Sequence, residues 1–268
     1  MAFEYTSFAS GSSGNCYMVR TDNTAILVDA GIAGKHITAG LEQLDMVPAD
    51  INGIVLTHEH TDHVKSVRMM GRKCTSAGVF GTKGTLDQIR DKLPENRAEA
   101  VGRSQDFVIG DVKVHAVPLS HDAADPVGYT FENGGRKLAI MTDTGCVTEE
   151  MYREIRDADS LVLEANHEVN ILRVGPYPYP LKRRILSDRG HLSNMTCGDV
   201  LGRLLADRAG MGRDMPHVVL GHLSKQNNTP ETAFLTVRNV LFEKDFYVGR
   251  DLTLKVAKRS EPMELMRV

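Results

Sequence analysis

At 268 residues the chain is long enough to bury a large core, and its 41% hydrophobic and 25% charged content is ordinary for a globular protein. A formal net charge of -3 excludes a globally basic polyanion binder, so a nucleic-acid surface has to come from a local patch. Cys16, Cys74, Cys146 and Cys197 form no C-x-x-C pair, no basic-then-apolar leader opens the chain, and no apolar run reaches the roughly 18 residues of a membrane span; these features exclude a zinc ribbon, a disulfide framework and a membrane anchor, and place the expected protein in the cytoplasm.

Short strands are expected at 3–8, 15–19 and 25–29. The loop Ala9-Ser10-Gly11-Ser12-Ser13-Gly14 reads as a hairpin connection, with a phosphate cradle as the alternative. Asp29-Ala30-Gly31 ends the third strand on a carboxylate, and Ile37, Leu41 and Leu44 at helical spacing predict a helix over 35–44. The apolar run Ile54-Val55-Leu56 leads into a His-rich turn, after which a helix is expected over 64–70 and Val79-Phe80 begins an alternation of short apolar runs and helices. A hairpin turns on Gly110-Asp111, and its second arm, 112–119, runs into Ser120-His121-Asp122. Strands at 128–132 and 136–141 are joined by Asn133-Gly134-Gly135, and the second ends in Thr142-Asp143-Thr144-Gly145. A helix over 149–155, a strand at 160–164 ending on Glu164, a helix over 197–205, a strand at 218–220 and a last helix within 231–241 follow. No repeat or low-complexity linker interrupts the chain, so one domain over 1–268 is expected.

The chemistry concentrates in Thr57-His58-Glu59-His60-Thr61-Asp62-His63. Imidazole is the commonest ligand of zinc and its neighbours, carboxylate oxygen completes borderline sites, and a turn after a strand can aim alternate side chains at one point. His58 and His60 share a face if the strand persists, while Asp62 and His63 fall on the turn, so two ions are plausible; the bland alternative is a solvated polar loop. Strand ends also deliver His121, Asp143, Glu164 and His222, in positions where layered α/β folds gather function. His36 and His217 read as surface residues and His115 as a hydrogen-bonded mid-strand residue.

The His-rich motif, the upstream Val28-Asp29-Ala30-Gly31 and the later isolated His121, Asp143 and His222 together resemble the metallo-β-lactamase fold. The resemblance implies an α/β four-layer αββα sandwich of two mixed β-sheets, with a site at one edge of the sheets. It implies that His58, His60 and His121 hold one metal, that Asp62, His63 and His222 hold a second, that Asp143 bridges them, and that Asp29 orients the ligand loop from behind. Phe8-Ala9-Ser10-Gly11-Ser12-Ser13-Gly14-Asn15, Glu164-Ala165-Asn166-His167, Lys182-Arg183-Arg184-Ile185-Leu186-Ser187-Asp188, Gly190-His191-Leu192-Ser193-Asn194 and Gly221-His222-Leu223-Ser224 resemble the YycJ/WalJ subgroup more closely, which implies 5′-to-3′ exonuclease action on DNA. The chain has no room for the β-CASP insertion of larger nucleases in that superfamily. It is also similar at Glu164-Ala165 and Gly190-His191 to the tRNA 3′-processing endonucleases, but it shows no long arm of the kind that grips tRNA.

Paired divalent ions can activate a shared water and neutralise a phosphodiester, and they can equally serve carbonyl substrates. The mixed nitrogen and oxygen donors, without cysteine, suit zinc or manganese. Asp62, His191 and Glu164 are the expected catalytic positions: a departing alkoxide needs a proton, His191 lies outside the ligand set, and Glu164 can hold its ring, with His167 as the rival acid. Arg173, Lys182, Arg183, Arg184 and Arg189, interleaved with Tyr177 and Tyr179, offer phosphate contacts and stacking faces; the alternative is a rigid proline-rich crossover with a solvated basic face. These features predict a binuclear metal-dependent phosphodiesterase acting on nucleic acid, DNA before RNA. A small-molecule hydrolase, or a nucleic-acid-binding module with an inactive metal site, stands as the alternative.

Overall fold

The computed structural model describes residues 2–268. In chain order the first elements are β1 (Phe3–Ala9), β2 (Cys16–Thr21), β3 (Ala25–Val28), α1 (Gly34–Glu42), β4 (Gly53–Val55), α2 (Thr61–Val64), α3 (Val67–Lys73), β5 (Gly78–Thr82), α4 (Lys83–Gln88) and β6 (Ala98–Val101). Next come β7 (Asp106–Ile109), β8 (Val112–Pro118), β9 (Val127–Asn133), β10 (Arg136–Met141), α5 (Glu149–Arg156), β11 (Ser160–Glu164), α6 (Val169–Val174) and α7 (Tyr179–Ile185). The series closes with α8 (Asn194–Gly210), β12 (His217–Gly221), α9 (Pro230–Phe242), β13 (Thr253–Val256) and β14 (Met266–Arg267). The strands form two seven-stranded mixed sheets and the helices flank them, the α/β class expected from the sequence.

By its contacts the chain divides into two compact units. Of the described residues, one unit comprises 2–118, 123–136 and 258–268, the other 119–122 and 137–257. In the first unit the sheet order is β14-β1-β2-β3-β4-β5-β6, antiparallel from β14 to β3 and parallel from β3 to β6. β3 and β4, in the middle of this sheet, are buried on both faces, so they read as continuous apolar runs instead of alternating ones. Met18, Leu27, Ile54 and Val79 share one core with Ile37 and Leu41 of α1 and Val67 and Met70 of α3. On the opposite face the antiparallel ribbon β7-β8-β9 packs through Phe107, whose ring stacks on Phe80 at 5.3 Å, and through Tyr129, whose hydroxyl donates to Leu56 O at 2.8 Å.

The second unit is built on the parallel ladder β10-β11-β12-β13, whose register aligns Met141 with Leu163 and Leu163 with Leu220. That register brings the carboxyl ends of three strands level, so Asp143, Glu164 and His222 emerge at one edge. Ser193 and Thr229 cap α8 and α9 by accepting the backbone N–H three residues on. Gly198 and Gly202 let α9 and the turn after it approach α8: a Cβ on Gly198 would stand 2.8 Å from Val240 Cβ.

Several expectations need adjustment. The helix expected over 64–70 is two pieces, broken where Ser66 turns its Oγ onto Ile32 O at 2.6 Å and its N–H onto Ala30 O. α8 begins earlier and ends later than 197–205, because the Ser193 cap lies upstream of its apolar stripe. α6, α7, β13 and β14 went unread, and much of the presumed crossover at 173–189 is helical. Among the described residues, no helix is long and apolar enough to cross a membrane.

Candidate metal centre

In the first unit the His-rich turn is held by the loops beside it. Asp29, at the end of β3, accepts from Thr57 N at 2.9 Å on Oδ1, and from Thr57 Oγ1 at 2.9 Å and His63 Nδ1 at 2.7 Å on Oδ2. With Nδ1–H given to Asp29, His63 keeps its lone pair on Nε2, the tautomer a metal needs. Gly31 is required by close approach, since a Cβ there would fall 1.6 Å from Asp62 O. Asn15 extends the clamp: its backbone N–H donates to Asp62 O at 2.8 Å, and its side-chain nitrogen lies 3.1 Å from His63 Nε2. The loop at 9–14 therefore serves as the bulged hairpin connection of β1 and β2 and delivers Asn15 to the turn.

Within this turn the rings of His58 and His60 are 4.5 Å apart and those of His58 and His63 4.0 Å apart; Asp62 Oδ2 stands 3.8 Å from His63 Nε2. His58 and His63 are buried, while His60 and Asp62 are half-buried. Glu59 points elsewhere and accepts from Ala124 N at 2.8 Å.

The second unit supplies another convergence. Glu164, fully buried, accepts on Oε1 from His191 Nδ1 at 2.8 Å and His222 Nδ1 at 2.7 Å, and on Oε2 from Thr144 N at 2.8 Å. Burial pushes this carboxyl up, but the charge of His191 and the hydrogen bonds from both rings outweigh it and hold Glu164 well below the usual carboxylate range. His222 Nε2 lies 3.3 Å from Asp143 Oδ1, and His121 Nε2 lies 4.0 Å from the same oxygen, so Asp143 stands between two imidazoles. His121 gives Nδ1 to Gly190 O at 3.1 Å, and burial, which favours the uncharged ring, lowers its pKa against the opposing pull of Asp143. Asp143, Glu164, His191 and His222 bring ligand-type atoms within 4.8 Å of one another.

Asp29, Asp143 and His222 all take left-handed backbone, with φ of 62°, 62° and 55°. Such conformations cost of order 1 kcal/mol or more in a non-glycine residue and persist where neighbours over-determine them. For His222 the neighbour is Asn166, whose side-chain nitrogen donates to His222 O at 2.9 Å. Asn15, Thr57 and Asn166 are site residues that sequence reasoning missed as such. Their only signal was membership of a quoted motif, because an amide or hydroxyl that braces a ligand has no characteristic spacing.

The rival His167 is buried 1% exposed, and burial lowers its pKa to about 4; its ring nitrogens have no hydrogen-bond partner among the described residues. His115 pairs with Asp106 at 2.6 Å as a structural residue, and His36 and His217 are exposed. The basic stretch is divided in use. Arg173 and Arg183 are exposed, Tyr179 is 72% exposed and Tyr177 half-buried. Lys182 instead donates to Arg173 O at 2.7 Å, Arg184 pairs with Asp122, and Arg189 donates to His121 O.

Imidazoles whose Nδ1 is tied to an oxygen, together with half-buried and buried carboxylates, form a donor set suited to borderline divalent ions. The family model described as a beta-lactamase superfamily domain matches residues 24–209. The chain is 36% identical to the Bacillus anthracis protein named exodeoxyribonuclease YycJ over the full length of both, and 36% identical to the Streptococcus pneumoniae protein named exodeoxyribonuclease WalJ, covering 94% of this chain and 93% of that one. Among solved structures, the metallo-β-lactamase fold protein YhfI from Bacillus subtilis superposes with a TM-score of 0.71 at 14% identity, over 98% of this chain and 100% of that one. The chain therefore belongs to the β-lactamase superfamily, in one family with the YycJ and WalJ proteins.

Proposed function

We propose that this chain is a binuclear metal-dependent phosphodiesterase that acts on nucleic acid as a 5′-to-3′ DNA exonuclease in the cytoplasm. The observation that carries the reading is the 36% identity, over the full length of both chains, to a protein named as an exodeoxyribonuclease. Because the family match at 24–209 runs through segments of both compact units, we read 1–268 as one metallo-β-lactamase-like domain without a β-CASP insertion.

We assign His58, His60 and His121 to one ion, Asp62, His63 and His222 to a second, and Asp143 to both, with zinc or manganese as the ion. The committed Nδ1 atoms of His63, His121 and His222 support these assignments. Bound there, the ions supply water activation and neutralisation of phosphate charge. The chain's own groups do the rest. Asp29 fixes the tautomer and angle of His63. Glu164 does the same for His222 and orients His191, and His191, doubly protonated with Nδ1–H on Glu164, donates the Nε2 proton to the leaving oxygen and is left as the neutral Nδ1–H ring. We count Asp62 with His191 and Glu164 as catalytic positions. Arg173, Arg183, Tyr177 and Tyr179 face the incoming strand; Lys182, Arg184 and Arg189 complete the basic surface.

The test is incubation of metal-loaded protein with end-labelled single- and double-stranded DNA and RNA, beside cyclic nucleotide and lactone substrates. Stepwise shortening of DNA from its 5′ end is expected. Turnover confined to the small substrates would replace the reading with a small-molecule hydrolase.

A further inference from the structure

We propose that Arg184 and Arg189 are positioning residues for His121, so that α7 and the turn after it hold one metal-ligating imidazole in place. The inference rests on the assignment of His121 as a ligand. Residues 119–126 belong to no helix or strand, so no ladder fixes His121 once β8 has ended. Beside the Gly145 N–H, which donates to Ser120 O at 2.9 Å, the side chains and carbonyls of 184–190 do so. Arg184 forks onto both carboxylate oxygens of Asp122, with Nη2 3.0 Å from Oδ1. The Arg189 guanidinium donates to His121 O at 3.2 and 3.4 Å. His121 Nδ1 reaches Gly190 O at 3.1 Å, and Ser120 Oγ donates to Asp188 O at 2.7 Å. Backbone, ring and the residues on either side are thus all tied to one turn.

That turn is itself closed. A Cβ on Gly190 would fall 2.2 Å from Ile185 O, and one on Gly145, two residues beyond Asp143, would fall 2.4 Å from Asp188 O. The segment that holds His121 therefore also abuts the loop that follows Asp143. An exposed ion pair contributes little to stability, so the effect of the Arg184 fork lies in where Asp122 and His121 stand. A planar guanidinium matches a carboxylate at two points and a lysine ammonium does not. Arg183, exposed one position earlier on α7, makes no such contact.

The experiment compares the full-length wild type with Arg184→Ala, Arg184→Lys and Arg183→Ala. Manganese(II) is titrated into each, with free ion read by electron paramagnetic resonance, and amide hydrogen exchange over 119–123 is measured in the metal-free proteins. Arg184→Ala should bind manganese on the order of ten-fold more weakly, as losses of ligand-supporting partners do. It should also exchange faster over 119–123 with the metal-free melting temperature unmoved. Arg184→Lys should fall between it and wild type, and Arg183→Ala should match wild type in both readouts. Wild-type values for Arg184→Ala in both would overturn the proposal. Failure of the wild type to take up manganese would overturn the ligand assignment, while unchanged exchange in Arg184→Ala would overturn the clamp by itself.

Discussion

One buried carboxylate oxygen, Glu164 Oε1, accepts from both His191 and His222, so a single side chain orients a proposed acid and sets the tautomer of a proposed ligand. A proton donor must exchange with solvent, and His191 keeps 19% of its side chain exposed whereas His167 is sealed. His191→Ala should therefore lose about a hundred-fold or more on a diester with an ordinary alcohol leaving group, in line with general-acid contributions. It should largely keep its rate on a diester that expels nitrophenolate. Equal loss on both would remove His191 from the role. For His167 the consequence is acid sensitivity. Burial favours its neutral form and sets its folded pKa at about 4, below the ordinary 6.5. The unfolded chain then binds the proton first, so stability is fully present above about pH 6.5, falls as pH drops toward 4, and levels off below that. The whole loss is roughly 3 kcal/mol. Urea unfolding of wild type and His167→Leu near neutral pH and near pH 4 checks this. The variant should lose less on acidification, and an equal loss would assign the sensitivity to other groups.

At the level of elements, the strands that deliver the site were legible because each is an apolar run closed by a ligand-type residue. Ile54-Val55-Leu56 before His58 and Ser160-Leu161-Val162-Leu163 before Glu164 are examples. Their mutual alignment was not, since the register of β10, β11 and β12 depends on partners distant in sequence. The left-handed backbone at His222 had no local signal either, as positive φ is uncommon in any non-glycine residue and histidine's enrichment there does not mark a single position. Helices α6 and α7 were hidden by their length, 6 and 7 residues, and by the prolines around them. Pro178 stands as the N-cap of α7 and Pro180 falls in its first turn, where a missing N–H costs nothing. Forming that helix divides the basic residues between Asp122, which engages Arg184, and solvent, which receives Arg183. Arg183→Ala should accordingly weaken DNA binding and make the slope of log affinity against log salt shallower by about 0.7 to 1, the loss of one phosphate contact. Binding measured over a range of salt decides it, and an unchanged slope would place Arg183 off the path of the strand.

For the molecule as a whole, the question is how many ions the proposed ligands hold. His58, His60, Asp62 and His63 belong to one compact unit and His121, Asp143 and His222 to the other. Together they exceed the three protein ligands that a catalytic zinc commonly takes, so two ions per chain are expected. Elemental analysis of reconstituted, active protein checks the number, and full activity with one ion would refute the binuclear assignment. Asp143 gives a sharper form of the same test, because its Oδ1 stands against both His121 and His222. A residue that serves one ion should, when lost, leave the other ion's affinity intact, whereas one that serves both should weaken both. An ion that binds only the folded chain stabilises it by about 2.7 kcal/mol at a hundred-fold excess over Kd. A chelator should therefore lower the melting temperature of the wild type, and that drop should shrink in Asp143→Ala as both occupancies fall. A variant that still holds one ion at wild-type affinity, with part of the chelator effect intact, would show that Asp143 serves a single site.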